Sequence, residues 1–158
     1  MINEELEISS EIERDSFIKI ISDLQSQIIP PLDEMGVDIK EYANKLYKNA
    51  DLLVAYKKGE IVGVAAVYAN DEVSRCAYLS FIAIYNKFQG QGYGAALLSC
   101  VEEKAKQNNM YDLKLEVFKK NKRALVFYNR NKYIQIDETI DSYILEKKII
   151  TGYENENM

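Results

Sequence analysis

The chain has 158 residues, 47% of them hydrophobic, which is enough for one globular domain with a sizeable core. Its formal net charge of −5 argues against nucleic acid as a general partner, and the absence of histidine removes Ser-His-Asp hydrolysis, Cys-His chemistry and histidine-ligated metal sites. No apolar stretch approaches the ~20 residues of a membrane span, and the acidic start Met1-Ile2-Asn3-Glu4-Glu5 is unlike a signal peptide, so a cytoplasmic protein without membrane contact is expected.

In chain order, Leu6 and Ile8 alternate with Glu7 and predict a short first strand. Ser10 with Glu13 fits a capping box for a helix that presents Phe17, Ile20, Ile21, Leu24 and Ile28 on one face, with Pro30-Pro31 as its stop. Asp38 with Glu41 predicts a second helix carrying Ile39, Tyr42, Ala43, Leu46 and Tyr47. Residues 52–56 and 61–69 are β-rich runs joined by Lys57-Lys58-Gly59-Glu60, which reads as a hairpin. A polar loop at 70–75 leads into a bulky apolar run at 78–85, expected as a buried strand. Leu97, Leu98, Val101 and Ala105 then recur at helical spacing, and 113–118 is the next strand. A helix led by Asn121 and two last strands, 133–136 and 142–149, complete a mixed α/β sheet with helices on both faces. Residues 1–150 are expected to form the domain and 151–158, without apolar pattern, a disordered tail. Cys76 and Cys100 are too few and too far apart for a zinc site or a disulfide framework, and read as small buried hydrophobes.

The most telling stretch is Gln89-Gly90-Gln91-Gly92-Tyr93-Gly94-Ala95, where a strand turns into a helix. Glycine permits positive φ and close approach of a ligand to the backbone. The helix start adds unpaired N–H groups and the positive end of its dipole. That combination is a phosphate cradle. A Walker-type loop is excluded, because no Gly-Lys-Ser/Thr follows. Gly90, Gly92 and Ala95 do satisfy the dinucleotide fingerprint G-x-G-x-x-A, with Asp112 at about the distance of a ribose-binding acid. Asp112, however, opens the next strand instead of closing it, and too little chain follows for a doubly wound sheet. The third reading is Q-x-x-G-x-G, met by Gln89, Gly92 and Gly94. It resembles the acyl-CoA pyrophosphate loop of the GNAT acetyltransferase superfamily.

A second motif supports this reading. Asn121-Lys122-Arg123-Ala124-Leu125-Val126-Phe127-Tyr128 is similar to the other GNAT signature, N-x-x-A-x-x-F-Y, with Asn121 as a good N-cap. The order of elements matches the family from about residue 50 to residue 150. One departure is visible: the family places Gly before the final aromatic, whereas Lys132 precedes Tyr133 here. Asn131 tolerates the left-handed conformation and is expected to end the helix in its stead.

The resemblance implies a GNAT-like α/β fold, with a mixed, mostly antiparallel central sheet flanked by helices on both faces. Strands 78–85 and 113–118 would splay apart to admit the pantetheine arm of acetyl-CoA. Backbone groups of Phe81, Ile82, Ala83 and Ile84 would pair with that arm. Gln89, Gly90, Gln91, Gly92, Tyr93, Gly94 and Ala95 would hold the pyrophosphate, and Asn121, Ala124 and Tyr128 would complete the site, with no metal. The basic cluster Lys119-Lys120-Asn121-Lys122-Arg123 is expected to lend at least one contact to the phosphates.

The implied reaction is N-acetylation by direct attack of a primary amine on the thioester, through a tetrahedral intermediate whose oxyanion a backbone N–H near Ile82–Ala83 would hold. Without histidine the base is a carboxylate, a tyrosine or ordered water; Glu116, Asp71 and Glu72 are the candidate carboxylates. Tyr128 matches the family tyrosine that serves as general acid toward the CoA sulfur. A thiol near ~8.5 and a phenol near ~10 differ by roughly 1.5 units, so that donation is uphill by about 2 kcal/mol. The acceptor would be a small-molecule amine or a protein N-terminus. Similarity of Tyr68-Ala69-Asn70-Asp71 and the helical N-terminal region to polysaccharide-biosynthesis members tilts it to an amino sugar. A monomer or homodimer is expected. A non-catalytic acyl-CoA sensor, an inactive relative, and a nucleotide-binding module on the same loop stay open as alternatives.

Overall fold

In the computed structural model, which describes residues 6–150, the chain begins with strand β1 (Leu6–Ser9) and helices α1 (Arg14–Leu24) and α2 (Ile39–Asn49). Strands β2 (Asp51–Lys57), β3 (Glu60–Tyr68) and β4 (Cys76–Ile84) follow, then helix α3 (Tyr93–Gln107) and strand β5 (Asp112–Phe118). Helix α4 (Lys122–Arg130) and strands β6 (Ile134–Glu138) and β7 (Ser142–Lys148) come last. The tail at 151–158 lies outside the described residues. The strands form one sheet in the order β1-β2-β3-β4-β5-β7-β6, antiparallel at every junction except β4–β5.

The period-two alternation of the strands sorts the core into two layers. Leu52, Val54, Val64 and Ala66 face α1 and α2, which contribute Phe17, Ile20, Ile21, Leu24, Ala43 and Leu46. Leu53, Ala65, Val67, Leu113, Leu115 and Val117 face the other way, against Leu97, Leu98, Val101 and Ala105 of α3. This is the mixed α/β architecture with helices on both faces that the sequence predicts. The β2–β3 turn is tight, with Lys58 (φ 50) and Gly59 (φ 80) both left-handed, as a two-residue hairpin turn requires.

Two helix ends differ from expectation. Asp38 caps α2 as predicted, its Oδ1 accepting the Glu41 N–H at 3.1 Å. Ser10 does not cap α1. That helix begins at Arg14, and its N-cap Glu13 makes no side-chain bond. The nearby hydroxyl that does bond locally is that of Ser9, which accepts the Glu11 N–H at 3.1 Å. Nor does α1 reach the prolines. It tightens into a 3₁₀ turn at Gln25–Gln27, where the buried Gln25 carboxamide accepts the Asp33 N–H at 3.1 Å, and Ile28 is already extended.

The end of α4 shows a third difference. Asn131 stays at φ −92, and Lys132 takes the left-handed position at φ 74. The Tyr133 N–H then bonds Tyr128 O (3.0 Å) and the Lys132 N–H bonds Asn129 O (3.1 Å), a Schellman ending in which the two tyrosines also meet. A left-handed lysine costs about 1–2 kcal/mol, part of which glycine returns through its freer unfolded chain. Lys132→Gly is therefore expected to stabilise the fold by about 0.5–1 kcal/mol, read as a midpoint shift in urea. A loss of stability would show that the lysine side chain contributes more than its backbone costs.

Candidate active site

A bulge and a lost pairing create the site. The β3–β4 register passes from Ala66↔Phe81 to Val67↔Leu79, leaving Ser80 as the extra residue. The extra residue reverses the alternation: Ala77 and Leu79 pack on the α3 side, whereas Phe81 and Ala83 pack on the α1–α2 side. On the opposite edge, β4 pairs with β5 only at Cys76↔Asp112, Ala77↔Leu113 and Tyr78↔Lys114. Both strands run on, to Ile84 and Phe118, without further pairing to each other. An unpaired sheet edge offers N–H and C=O groups to an extended ligand as a neighbouring strand would. The gap belongs to a cleft of about 1350 Å³ lined by Phe81, Ile82, Ala83, Ile84 and Glu116 among others.

Where β4 ends, the glycine loop begins. Gly90 (φ 77) and Gly92 (φ 86) are left-handed, and Gly92 is the N-cap of α3. No backbone carbonyl among the described residues accepts the N–H of any residue from Gly90 to Ala95. The first such bond is Ala96 N–H to Gly92 O at 3.1 Å. Successive donors are thus left for an anion at the positive end of a 15-residue helix. The Gln89 carboxamide ties the loop down, donating to Ile84 O (3.0 Å) and to Gln27 Oε1 (2.8 Å). Helix α4 closes the other side: a Cβ on Gly94 would lie 3.4 Å from the Phe127 ring. Asn121 caps α4 by accepting the Ala124 N–H at 3.1 Å. Arg123 and Arg130 line the cleft, and no carboxylate among the described residues pairs with either guanidinium.

A model of the acetyltransferase (GNAT) family matches residues 17–133. The chain belongs to the GNAT family. Its fold is also similar to that of solved acetyltransferases. The ribosomal-protein-S18-alanine N-acetyltransferase from Escherichia coli superimposes with a TM-score of 0.74 at 20% identity, over 95% of this chain and 97% of that one. The PaiA N-acetyltransferase from Thermoplasma acidophilum, in complex with coenzyme A, gives 0.71 at 16% identity, over 90% and 98%. A GNAT acetyltransferase from Elizabethkingia anophelis with acetyl-CoA bound gives 0.71 at 21% identity, over 92% and 99%.

In this GNAT protein the residues singled out by sequence fall into two sets. Phe81, Ile82, Ala83, Ile84, Gln89, Gly90, Gly92, Gly94, Ala95, Glu116, Asn121, Ala124 and Tyr128 all line the one cleft. Gln91 and Tyr93 do not. The Gln91 carboxamide donates to Lys87 O (3.3 Å), and the Tyr93 ring is buried edge-on to Phe88, so each presents only its backbone N–H to the loop. In the basic cluster, Lys119 is paired with Glu138 at 2.6 Å. Arg123 is the basic member of the cluster that lines the cleft.

Tyr128 is 8% exposed, between the rings of Phe127 and Tyr133 at centroid distances of 5.1 and 5.6 Å. Its hydroxyl makes no hydrogen bond among the described residues. Burial lifts the phenol well above its ordinary value. The gap to a thiol is therefore wider than the unperturbed values suggest, and the group stays neutral through the working range. Tyr133 is fixed behind it, donating to Glu102 at 2.7 Å, while Lys147 holds the same carboxylate at 3.1 Å.

Among the acids, Glu116 is exposed on β5 beyond the last β4–β5 pair. It lies near Tyr78, whose phenol is raised first by burial and then by the Glu116 charge. Asp71 is engaged elsewhere: its Oδ1 accepts the N–H groups of Ser74 and Val73, both at 3.1 Å, which holds its carboxyl below the usual range. A carboxylate stabilised in that way is a poor base, and neither Asp71 nor Glu72 lines the cleft. Cys76 and Cys100 are half-buried and burial lifts both thiols, away from the thiolate a nucleophile needs.

Sequence reasoning missed Arg130; it expected the two helices within residues 10–50 and the loop at 70–75 to border the acceptor site, and of these the cleft is lined by Gln27, Ile29, Leu32, Met35 and Tyr42 but by no residue of the loop. Arg123, Phe127 and Arg130 follow i, i+4, i+7, so the arginine stripe was available from helical spacing alone. Tyr42 was placed on the apolar face of its helix. Its hydroxyl, however, donates across the fold to Ser80 O at 3.2 Å, fixing the bulge. No helix of the described residues is long and apolar enough to cross a membrane.

Proposed function

We propose that the chain is an acetyl-CoA-dependent N-acetyltransferase acting directly on a primary amine, with residues 1–150 as one acyltransferase domain. The observation that carries this reading is the run of N–H groups from Gly90 to Ala95 that no backbone carbonyl among the described residues accepts, set beside a strand gap on one cleft. Acetyl-CoA suits both halves, since its pyrophosphate needs backbone donors and its pantetheine arm carries amide groups that can pair with the free edge of β4. Arg123 and Arg130 supply positive charge to its phosphates within an acidic chain. Bound there, acetyl-CoA provides an activated thioester. R-NH₃⁺ and acetyl-CoA give the acetamide, free CoA thiol and one proton.

The residues divide that work. Glu116 takes a proton from the ammonium, directly or through water, so that nitrogen has a free lone pair. A backbone N–H near Ile82–Ala83 faces the carbonyl oxygen as charge builds on it. Tyr128 hydrogen-bonds the departing sulfur. An amino sugar, as in polysaccharide-biosynthesis members of the family, and a protein N-terminus both supply such an amine.

Acetyl-CoA at a hundredfold excess over its Kd is expected to stabilise the protein by about 2.7 kcal/mol in a thermal-shift or urea titration. NAD and ATP should give far less. Thiol release from acetyl-CoA should rise when amines are added. Equal stabilisation by ATP, or binding of acetyl-CoA with no transfer to any amine, would remove the transferase reading.

A further inference from the structure

The acceptor wall of the cleft is apolar where water would otherwise meet it. Ile29, Met35 and Tyr78 are 46%, 36% and 39% exposed and all three line the cleft, with Leu32 and Tyr42 beside them. Large apolar side chains gathered on a concave surface mark a binding face rather than a solvated one. Two of the polar groups along the same wall already have partners. The Gln27 carboxamide oxygen accepts from Gln89 at 2.8 Å, and the Ser80 hydroxyl lies 3.3 Å from that of Tyr42. Glu116 is the only carboxylate among the described residues that line the cleft.

We propose that the acceptor is a primary ammonium on an apolar or aromatic body, with Glu116 drawing the charged end and Ile29, Leu32, Met35 and Tyr78 taking the body. This rests on the acetyltransferase reading above and narrows its acceptor. A lone acid among tyrosine rings attracts a cation both by charge and by the ring faces. A sugar amine is the wrong shape of chemistry for this wall. Its hydroxyls would lose water against Ile29, Leu32 and Met35, and an unmade bond from a desolvated polar group is costly. A free aralkylamine and a peptide beginning with an apolar residue present the same chemistry.

The test compares phenethylamine, hexylamine and a tripeptide Phe-Gly-Gly with glucosamine and ethanolamine, using acetyl-CoA as donor and thiol release as readout. At least one of the first three is expected to exceed both of the others tenfold or more in kcat/KM; whether the free amines or the peptide lead identifies the source. Phenethylamine alone is also expected to raise the melting temperature of the donor-free protein more than glucosamine does. Met35→Ser, at an exposed position, should raise KM for phenethylamine about tenfold with kcat little changed, and an unchanged KM would count against the apolar wall as the acceptor site. Acetyl-CoA binding with glucosamine or ethanolamine preferred, or with no apolar amine accepted, would overturn this inference and leave cofactor binding standing. Failure of acetyl-CoA to bind at all would overturn the acetyltransferase reading and this inference with it.

Discussion

Tyr128→Phe is expected to lower turnover by roughly 10²–10⁴, the range for loss of a positioned acid, or about 3–5 kcal/mol in the barrier. Fold and cofactor affinity should hardly change. The ring stays wedged between Phe127 and Tyr133, and the lost hydroxyl leaves no partner stranded, because none of the described residues bonds it. The pH dependence carries a sign that follows from burial. Desolvation raises the Tyr128 phenol, so its proton is retained as pH rises, and the residue contributes no basic limb below about pH 10, the ordinary phenol range. In single-turnover measurements, the wild-type profile should thus climb as the amine loses its proton and should not fall from tyrosine ionisation. Since donation to sulfur is uphill, the hydroxyl supports the leaving thiolate by hydrogen bonding, with transfer late. Unchanged single-turnover rates in the Phe variant would return Tyr128 to the core and leave the acid unassigned.

The parts of this site that sequence reveals are those set by neighbours within a few residues. Asn121 reaches the Ala124 N–H three positions on, and Gly92 must precede a helix for its φ of 86 to be useful. Both follow from capping and turn chemistry. What stayed hidden is decided across the fold. The parting of β4 from β5 was expected from the family resemblance alone; nothing local to Tyr78 or Lys114 tells that pairing stops there, because the strands continue with apolar alternation on both sides of the stop. The Ser80 bulge depends on a tyrosine 38 residues away. Gln25, a polar residue on a buried helix end, reads as an exception until its bond to the Asp33 N–H is seen. Lys132 takes a conformation that local preference assigns to Asn131. Docking the Tyr133 ring on Tyr128 requires the turn at that residue, so packing overrides propensity.

Gly92→Val is expected to weaken acetyl-CoA binding by a hundredfold or more while the protein still folds. In the free protein a Cβ at Gly92 meets nothing within 4 Å, so the added volume has room. The backbone is the first obstacle: at φ 86 a β-branched residue is an outlier, and relaxing it would turn the loop's N–H groups from their present directions. The second is the ligand, since two methyl groups would stand where phosphate oxygens must approach the amides. A donor concentration that stabilises wild type by about 2.7 kcal/mol should then add only about 0.4 kcal/mol to the variant. Gly92→Ala separates the causes, because it carries a similar backbone penalty with far less bulk. If Ala and Val weaken binding equally, strain dominates; if Val is much worse, the phosphates contact the amide face of Gly92 itself. Normal acetyl-CoA affinity in Gly92→Val would move the pyrophosphate away from this loop and leave the N–H groups of 90–95 without a ligand.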